Sequence, residues 1–233
     1  MTLALIPARG GSKGLPRKNV RELMGLSLVA HAVRLAQLCI EVERIVVSTD
    51  DGEIAAAARE AGAEVIDRPE PLARDDTPTW PVVRHALEEL GGGHELVLLL
   101  EPTSPTRLPE DIAAAHALLA LRPDADGVVA VSEPRFNPIW ECVTESEDGL
   151  MAHMLPGGAT FERRQDVPRV LRINGLLYLW RAEFVRRETD RWANGRHLLL
   201  EVPELRAISI DDEQELQLAD ALLRTGLVKL PWL

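Results

Sequence analysis

The segment RGGSKGLPRKN, Arg9 to Asn19, gathers Arg9, Lys13, Arg17 and Lys18 around Gly10, Gly11 and Gly14, directly after the apolar run Leu3 to Ile6. Glycines let backbone N–H groups close around phosphate oxygens, and cationic side chains neutralise the charge that such a nest alone cannot. The frame is not a Walker A loop, since no Lys-Ser or Lys-Thr pair ends a Gly-x4-Gly spacing, and it is not GxGxxG. The plain alternative is a solvated basic turn. No other pattern competes with it for chemistry. His31, His85 and His116 fall on predicted helices with no metal-ligand spacing between them, and Cys39 and Cys142 belong to no CxxC pair and read as reduced thiols.

The surrounding chain is acidic. Its formal net charge of -11 over 233 residues argues against a nucleic acid as the main partner, because binding a phosphate backbone needs a broad positive surface. A small anion in a local basic pocket fits the same numbers. The first apolar stretch stops at Pro7, and no run approaches the roughly 20 apolar residues of a membrane span, so a cytoplasmic protein without a membrane segment is expected.

Strands and helices alternate, the pattern of an α/β fold with a mostly parallel sheet flanked by helices. Expected strands are Leu3–Ile6, Arg44–Ser48, Glu64–Ile66, the buried run ELVLLL, Gly127–Val131, GLLYLW and RAISI. Between them, helices are expected after Ser27 as N-cap, through EIAAAAREAG to a left-handed cap at Gly62, from Asp76 or Thr77 with Pro78 in the first turn, over Pro109–Leu121, from Ala182, and through DEQELQLADALLR. Regularity fails over residues 133–173, where Pro, Gly, Trp140, Met151, Met154, Phe161 and the pair Arg163 and Arg164 make a segment too long for an ordinary connection. The reading is an α/β domain of residues 1–132 and 174–233 with an inserted arm over 133–173. In such sheets ligands bind beyond the carboxyl ends of the strands, which is where the Arg9–Asn19 loop must lie.

Six stretches in order, IPARGGSKGLPRKN, VVSTDD, RPEPLARDDT, EPTSPTR, RINGLLYL and SIDDEQEL, resemble the motif series of the acylneuraminate cytidylyltransferases, the CMP-N-acetylneuraminic acid (CMP-sialic acid) synthetase family. The resemblance runs over nearly the whole chain. It implies a nucleotide-diphospho-sugar transferase fold with a dimerisation arm, a homodimer, Mg²⁺, and transfer of CMP from CTP to the anomeric hydroxyl of a nonulosonic acid with release of pyrophosphate. Such a transfer rests on positioning and charge neutralisation, so no nucleophilic triad is needed.

Residue by residue, the resemblance assigns CTP binding to Arg9, Gly11, Ser12, Lys18, Asn19 and Arg68, with Arg9, Lys18 and Asp211 as the catalytic set. Lys13 and Arg17 match less specific positions and read as solvent-facing charges. Asp211 stands where a metal-binding Asp is expected; its alternative role is to begin the last helix. The sugar side would comprise Glu101 and Asn174, with Arg164 and Gln165 of the arm matching a family pair and reaching the partner's site. For Asp50 a helix N-terminal role and ligand contact are both open, and Arg172 could face the sugar or pair with surface acids. Arg107 is expected to tie down its loop.

Three positions depart from the family pattern. Ser209 replaces the first carboxylate of an Asp-x-Asp pair, and Asp212 is no substitute, because it points to the other face and forms a capping box with Glu215. Glu101 replaces a Gln, so an amide that donates and accepts becomes a carboxylate that only accepts when ionised. Trp140 stands where many members have a basic residue. All three lie on the sugar or metal side, leaving CTP the firmer expectation. The other readings are a nucleotidyltransferase for another sugar acid or sugar phosphate, and a nucleotide-binding homologue without catalysis.

Overall fold

Leu3, Leu5, Ala4 and Ile6 are all fully buried, but on opposite faces of one strand, and that alternation organises the molecule. In the computed structural model, which describes residues 1–233, this strand is β1 (Thr2–Pro7). It is followed by a small hairpin of β2 (Glu22–Leu23) and β3 (Leu26–Ser27), then α1 (Leu28–Gln37), β4 (Val42–Thr49), α2 (Gly52–Ala61), β5 (Glu64–Asp67) and α3 (Thr79–Glu89). Next come β6 (Leu96–Leu99), α4 (Pro109–Ala120), β7 (Gly127–Ser132), a second hairpin of β8 (Val143–Glu145) and β9 (Met151–His153), β10 (Arg172–Arg181), α5 (Ala182–Arg187), β11 (His197–Glu201) and α6 (Glu213–Arg224).

Seven strands form one sheet in the order β11-β7-β10-β6-β1-β4-β5, parallel throughout except for β10, which runs antiparallel to both neighbours. The mostly parallel sheet expected from the alternation is therefore present, with β6 in its middle. Ala4, Ile6 and Leu98 pack under Val29, Leu35, Ile54 and Ile112 of α1, α2 and α4. Leu3, Leu5 and Val97 pack under Trp80 and Val83 of α3 and Phe184 of α5 on the other face. A third cluster seats Leu216, Ala219 and Leu223 of α6 against Leu15, Leu23 and Leu28. Helix boundaries follow their caps: Ser27 Oγ accepts from Ala30 N, and Gly62 ends α2 at φ 98°.

Three expectations need correction. RAISI is not a strand: Glu204–Arg206 forms a single 3-10 turn, and Ile208 and Ile210 are buried against the α6 cluster instead of joining the sheet. The edge strand is β11, which lies just upstream and pairs in parallel with β7. Helix α3 starts at Thr79 with Pro78 as its N-cap, so Asp76 and Thr77 remain in the preceding loop. Within 133–173, β8 pairs with β9, while Arg172 and Ile173 already belong to β10 and pair with Ser132 and Val131.

Candidate active site

Beyond the carboxyl ends of β1, β5 and β6 lies a cavity of about 280 Å³. Its wall includes Arg9, Ser12, Lys18 and Asn19 from the loop after β1, Arg68 after β5, Glu101 after β6, and Ser209 and Asp211 ahead of α6. Residues far apart in the chain thus converge where this type of sheet places a ligand.

The loop is shaped from within. Asn19 is buried and its Nδ2 donates to the Arg9 carbonyl at 2.9 Å, while Gly10 N donates to Asp50 Oδ1 at 3.0 Å. Gly11 has nothing within 4 Å of where a Cβ would sit, so its backbone faces open space. Gly14 is different: a Cβ there would lie 2.5 Å from the Asp211 carbonyl oxygen, so only glycine lets the loop and the 209–211 segment touch. That segment is fixed on its other side by Ile210 N, which donates to Thr103 O at 2.7 Å.

Every cation of the loop already meets a carboxylate. Lys18 Nζ lies 2.7 Å from Asp211 Oδ1 and Lys13 Nζ 2.7 Å from Asp75 Oδ2, and Arg9 also pairs with Asp75. Arg17 is bound to Asp51, the N-cap of α2, at 2.8 Å and to Glu53. Lys13 and Arg9 together hold the Asp75 carboxyl below the usual carboxylate range. Behind them, Arg68 is buried, donates through Nη2 to Ser48 O at 2.6 Å, and has its pKa lowered to about 10 by burial. Arrayed this way, the cations can exchange carboxylate for phosphate oxygens.

The opposite wall carries Glu101. Its main-chain carbonyl accepts from Arg107 Nη2 at 2.7 Å, and Arg107 Nη1 donates to Leu176 O at 2.7 Å, so a fully buried guanidinium ties the loop after β6 to β10. Burial lowers the Arg107 pKa to about 10. Asp211 exposes its side chain to the cavity; Oδ1 takes Lys18 and Oδ2 receives Ser209 Oγ at 3.4 Å. Asp212 caps α6 reciprocally with Glu215.

Not all expected residues converge. Arg164 and Gln165 line a separate cavity of about 430 Å³ with Glu133, Asn137 and Arg169. Asn174 is buried; its Nδ2 donates to Ser132 Oγ at 2.8 Å and its Oδ1 accepts from Leu176 N at 3.0 Å. Arg172 pairs with Glu204 at 2.9 Å. No histidine lines the main cavity, and His31 is held by Leu23 O and Trp232 inside the fold. The sequence reading passed over Arg74, Thr77 and Thr79, which also line the cavity, and Asp75; all four lie on or just after the β5–α3 loop, whose RPEPLARDDT motif was the signal available.

Residues 3–194 match the family model described as Cytidylyltransferase. The chain is 40% identical over 153 residues to the CMP-N,N'-diacetyllegionaminic acid synthase of Legionella pneumophila, spanning 64% of this chain and 65% of that protein. It is 30% identical over 226 residues to the enzyme of the same name from Campylobacter jejuni, spanning 95% and 94% of the two chains. Among solved structures, a CMP:2-keto-3-deoxy-manno-octonic acid synthetase complexed with CTP superposes with a TM-score of 0.75 at 17% identity, covering 97% of this chain and 99% of the other, a likeness of fold.

Proposed function

We propose that this chain, which belongs to the cytidylyltransferase family, transfers CMP from CTP to the anomeric hydroxyl of a sialic-type nonulosonic acid and releases pyrophosphate. The observation that carries this reading is the convergence of Arg9, Lys18 and Asp211 on one cavity beyond the strand ends. Arg9, Lys18 and the backbone around Gly11 and Ser12 take the triphosphate, Asn19 holds the loop in shape, and Arg68 adds buried positive charge behind it. Removing charge from the leaving pyrophosphate is the larger part of the work in such a transfer. Relatives that act on legionaminic acid point to the same class of acceptor.

Mg²⁺ fits the oxygen donors present. Asp211 lines the cavity with Lys18 on Oδ1 and Ser209 Oγ donating to Oδ2, and Ser209 can orient a bound water. When bound, the ion would supply charge neutralisation at the phosphates, with Asp211 as its protein ligand. Glu101 lies on the acceptor side of the cavity. Asn174, whose side chain is spent on Ser132 and Leu176, acts there through the strand it holds.

Residues 133–173 are the dimerisation arm of this reading. Met151 and Met154 are 69% and 59% exposed there, and such apolar surface needs a partner to cover it. A homodimer in the cytoplasm, with Arg164 and Gln165 reaching the neighbouring cavity, follows. Sedimentation at micromolar concentration should give a dimer, and a monomer would remove the role of the arm. The activity itself is tested by pyrophosphate release from CTP with a panel of nonulosonic acids; release with none of them would overturn it.

A further inference from the structure

Ser209 and Asp211 reach the cavity on a segment that no sheet holds. It runs from the 3-10 turn Glu204–Arg206 to the start of α6 at Glu213, outside every strand. Without ladder bonds such a segment has to be fixed by individual contacts, and most of them come from one stretch of chain. Thr103 O accepts from Ile210 N at 2.7 Å, and Thr106 Oγ1 donates to Arg206 O at 2.6 Å. The Asp111 carboxylate takes both terminal nitrogens of Arg206, at 2.6 and 2.8 Å. Thr103, Thr106 and Asp111 all lie where the chain leaves β6 and enters α4, the stretch that also carries Glu101.

The ion pair is the most directional of these ties. A guanidinium forked on a carboxylate fixes orientation as well as distance, which a single bond does not. Asp111 is 7% exposed, and its Oδ2 also accepts from Leu108 N at 2.8 Å, so one buried carboxylate opens α4 and grips the 204–211 segment together. Neither Asp111 nor Arg206 lines the cavity. On its other side the segment meets a stop, because the Asp211 carbonyl oxygen would lie 2.5 Å from a Cβ at Gly14. The Asp211 side chain is 67% exposed, so packing around it cannot set its place. Where its carboxylate stands is decided by where its backbone is tied, between the stop at Gly14 and the fork at Asp111.

We propose that Arg206 and Asp111 are positioning residues for the transfer: their ion pair sets the place of Asp211 relative to the loop after β6. The proposal rests on the cytidylyltransferase reading above. No bond to a substrate forms or breaks at the pair. Its effect passes along the backbone from Arg206 to Asp211, and a displacement of about 1 Å at a reacting site is enough to cost up to about 10²-fold in rate.

Arg206→Met removes the fork and keeps the apolar stem, whereas Arg206→Lys keeps the charge as a point donor. At saturating CTP and acceptor, Arg206→Met should lower kcat for pyrophosphate release about 10- to 100-fold and Arg206→Lys about 3- to 10-fold, with metal-free CTP affinity within about threefold of the parent in both. Hydrogen exchange in the protein without ligands should quicken about tenfold or more at the Ile210 amide and stay unchanged in β1 and β6. In an Asp211→Asn background, adding Arg206→Met should lower kcat by less than about threefold, because the residue it acts through is already gone. A loss of kcat that is undiminished in that background, or an Ile210 amide that exchanges as in the parent, overturns the proposal alone. If Arg206→Met does not fold, the same two measurements on Arg206→Lys decide. A parent that releases no pyrophosphate with any acceptor overturns the activity, and with it any role of the pair in the transfer.

Discussion

The two walls of the cavity solve the problem of charge in opposite ways. On the loop wall, Arg9 and Lys18 are each matched with a carboxylate, as are Lys13 and Arg17 of the same loop outside the cavity. On the β6 wall, Glu101 is held by its backbone and its side chain is unmatched. Clustered cations repel one another, so internal carboxylates let the loop hold them together, and under the function proposed above a triphosphate would replace one set of anions with another. The Glu101 carboxyl instead makes one long hydrogen bond from Thr79 and no ion pair, and burial raises its pKa above the usual carboxylate range. The loop wall is therefore built of paired charges, and the β6 wall leaves one carboxyl group without an ion pair.

The sharpest break of this contrast is at Asp211, which belongs to both walls as partner of Lys18 and as proposed ligand of Mg²⁺. Asp211→Asn keeps size and hydrogen bonding and removes the charge. Turnover should fall by roughly 10³-fold, the several kcal/mol that a catalytic metal supplies, with CTP binding in the absence of metal changed only a few-fold. Full activity in this variant would reduce Asp211 to a residue that begins a helix. Next in size is Arg9→Ala, which removes a forked donor from the loop wall. CTP affinity measured by calorimetry should drop about 10²-fold, as expected for charge-assisted hydrogen bonds worth roughly 1.5–3 kcal/mol each, in a variant with an unchanged melting temperature. Unchanged affinity would sink the triphosphate assignment. The smallest effect has the opposite sign. Asp75→Asn frees Arg9 and Lys13 from their stand-in, so CTP should bind about two- to fivefold tighter, in line with the 0–1 kcal/mol of an exposed pair. Weaker binding would mean that Asp75 positions those cations and does not compete for them.

Much of the body was legible because its signals are local. The apolar run of β1, Ser27 at the start of α1, Gly62 at the end of α2 and the Asp212–Glu215 box each act over a few residues. RAISI misled because alternating apolar residues mark a strand only when a neighbour pairs with them. Here Ile208 and Ile210 bury against α6, and Ile210 N bonds to Thr103, a contact no local pattern encodes. The apolar triplet of β11, between Gly195 and Pro203, carried an adequate signal that went unread. The cations of the site could be read from their own loop, but their carboxylate partners could not. Asp75 and Asp211 come from elsewhere in the chain, and burial at Glu101 depends on α3 and β10 closing over it.

The pairing of Lys18 with Asp211 spans 193 positions of the chain, and Asp211 lies outside residues 3–194 that match the family model. Closing so long a loop costs more entropy than closing a short one, though only slowly more with length, and is repaid once the segment before α6 docks on Gly14 and Thr103. On a ribosome, Lys18 is made 193 residues ahead of Asp211 and waits for it through that whole span. A nascent chain with its first strands already paired can match Arg9, Lys13 and Arg17 with Asp75 and Asp51, and leaves Lys18 alone without its carboxylate. The cavity is complete only when the 207–212 segment reaches its seat and brings Ser209 and Asp211 to its wall.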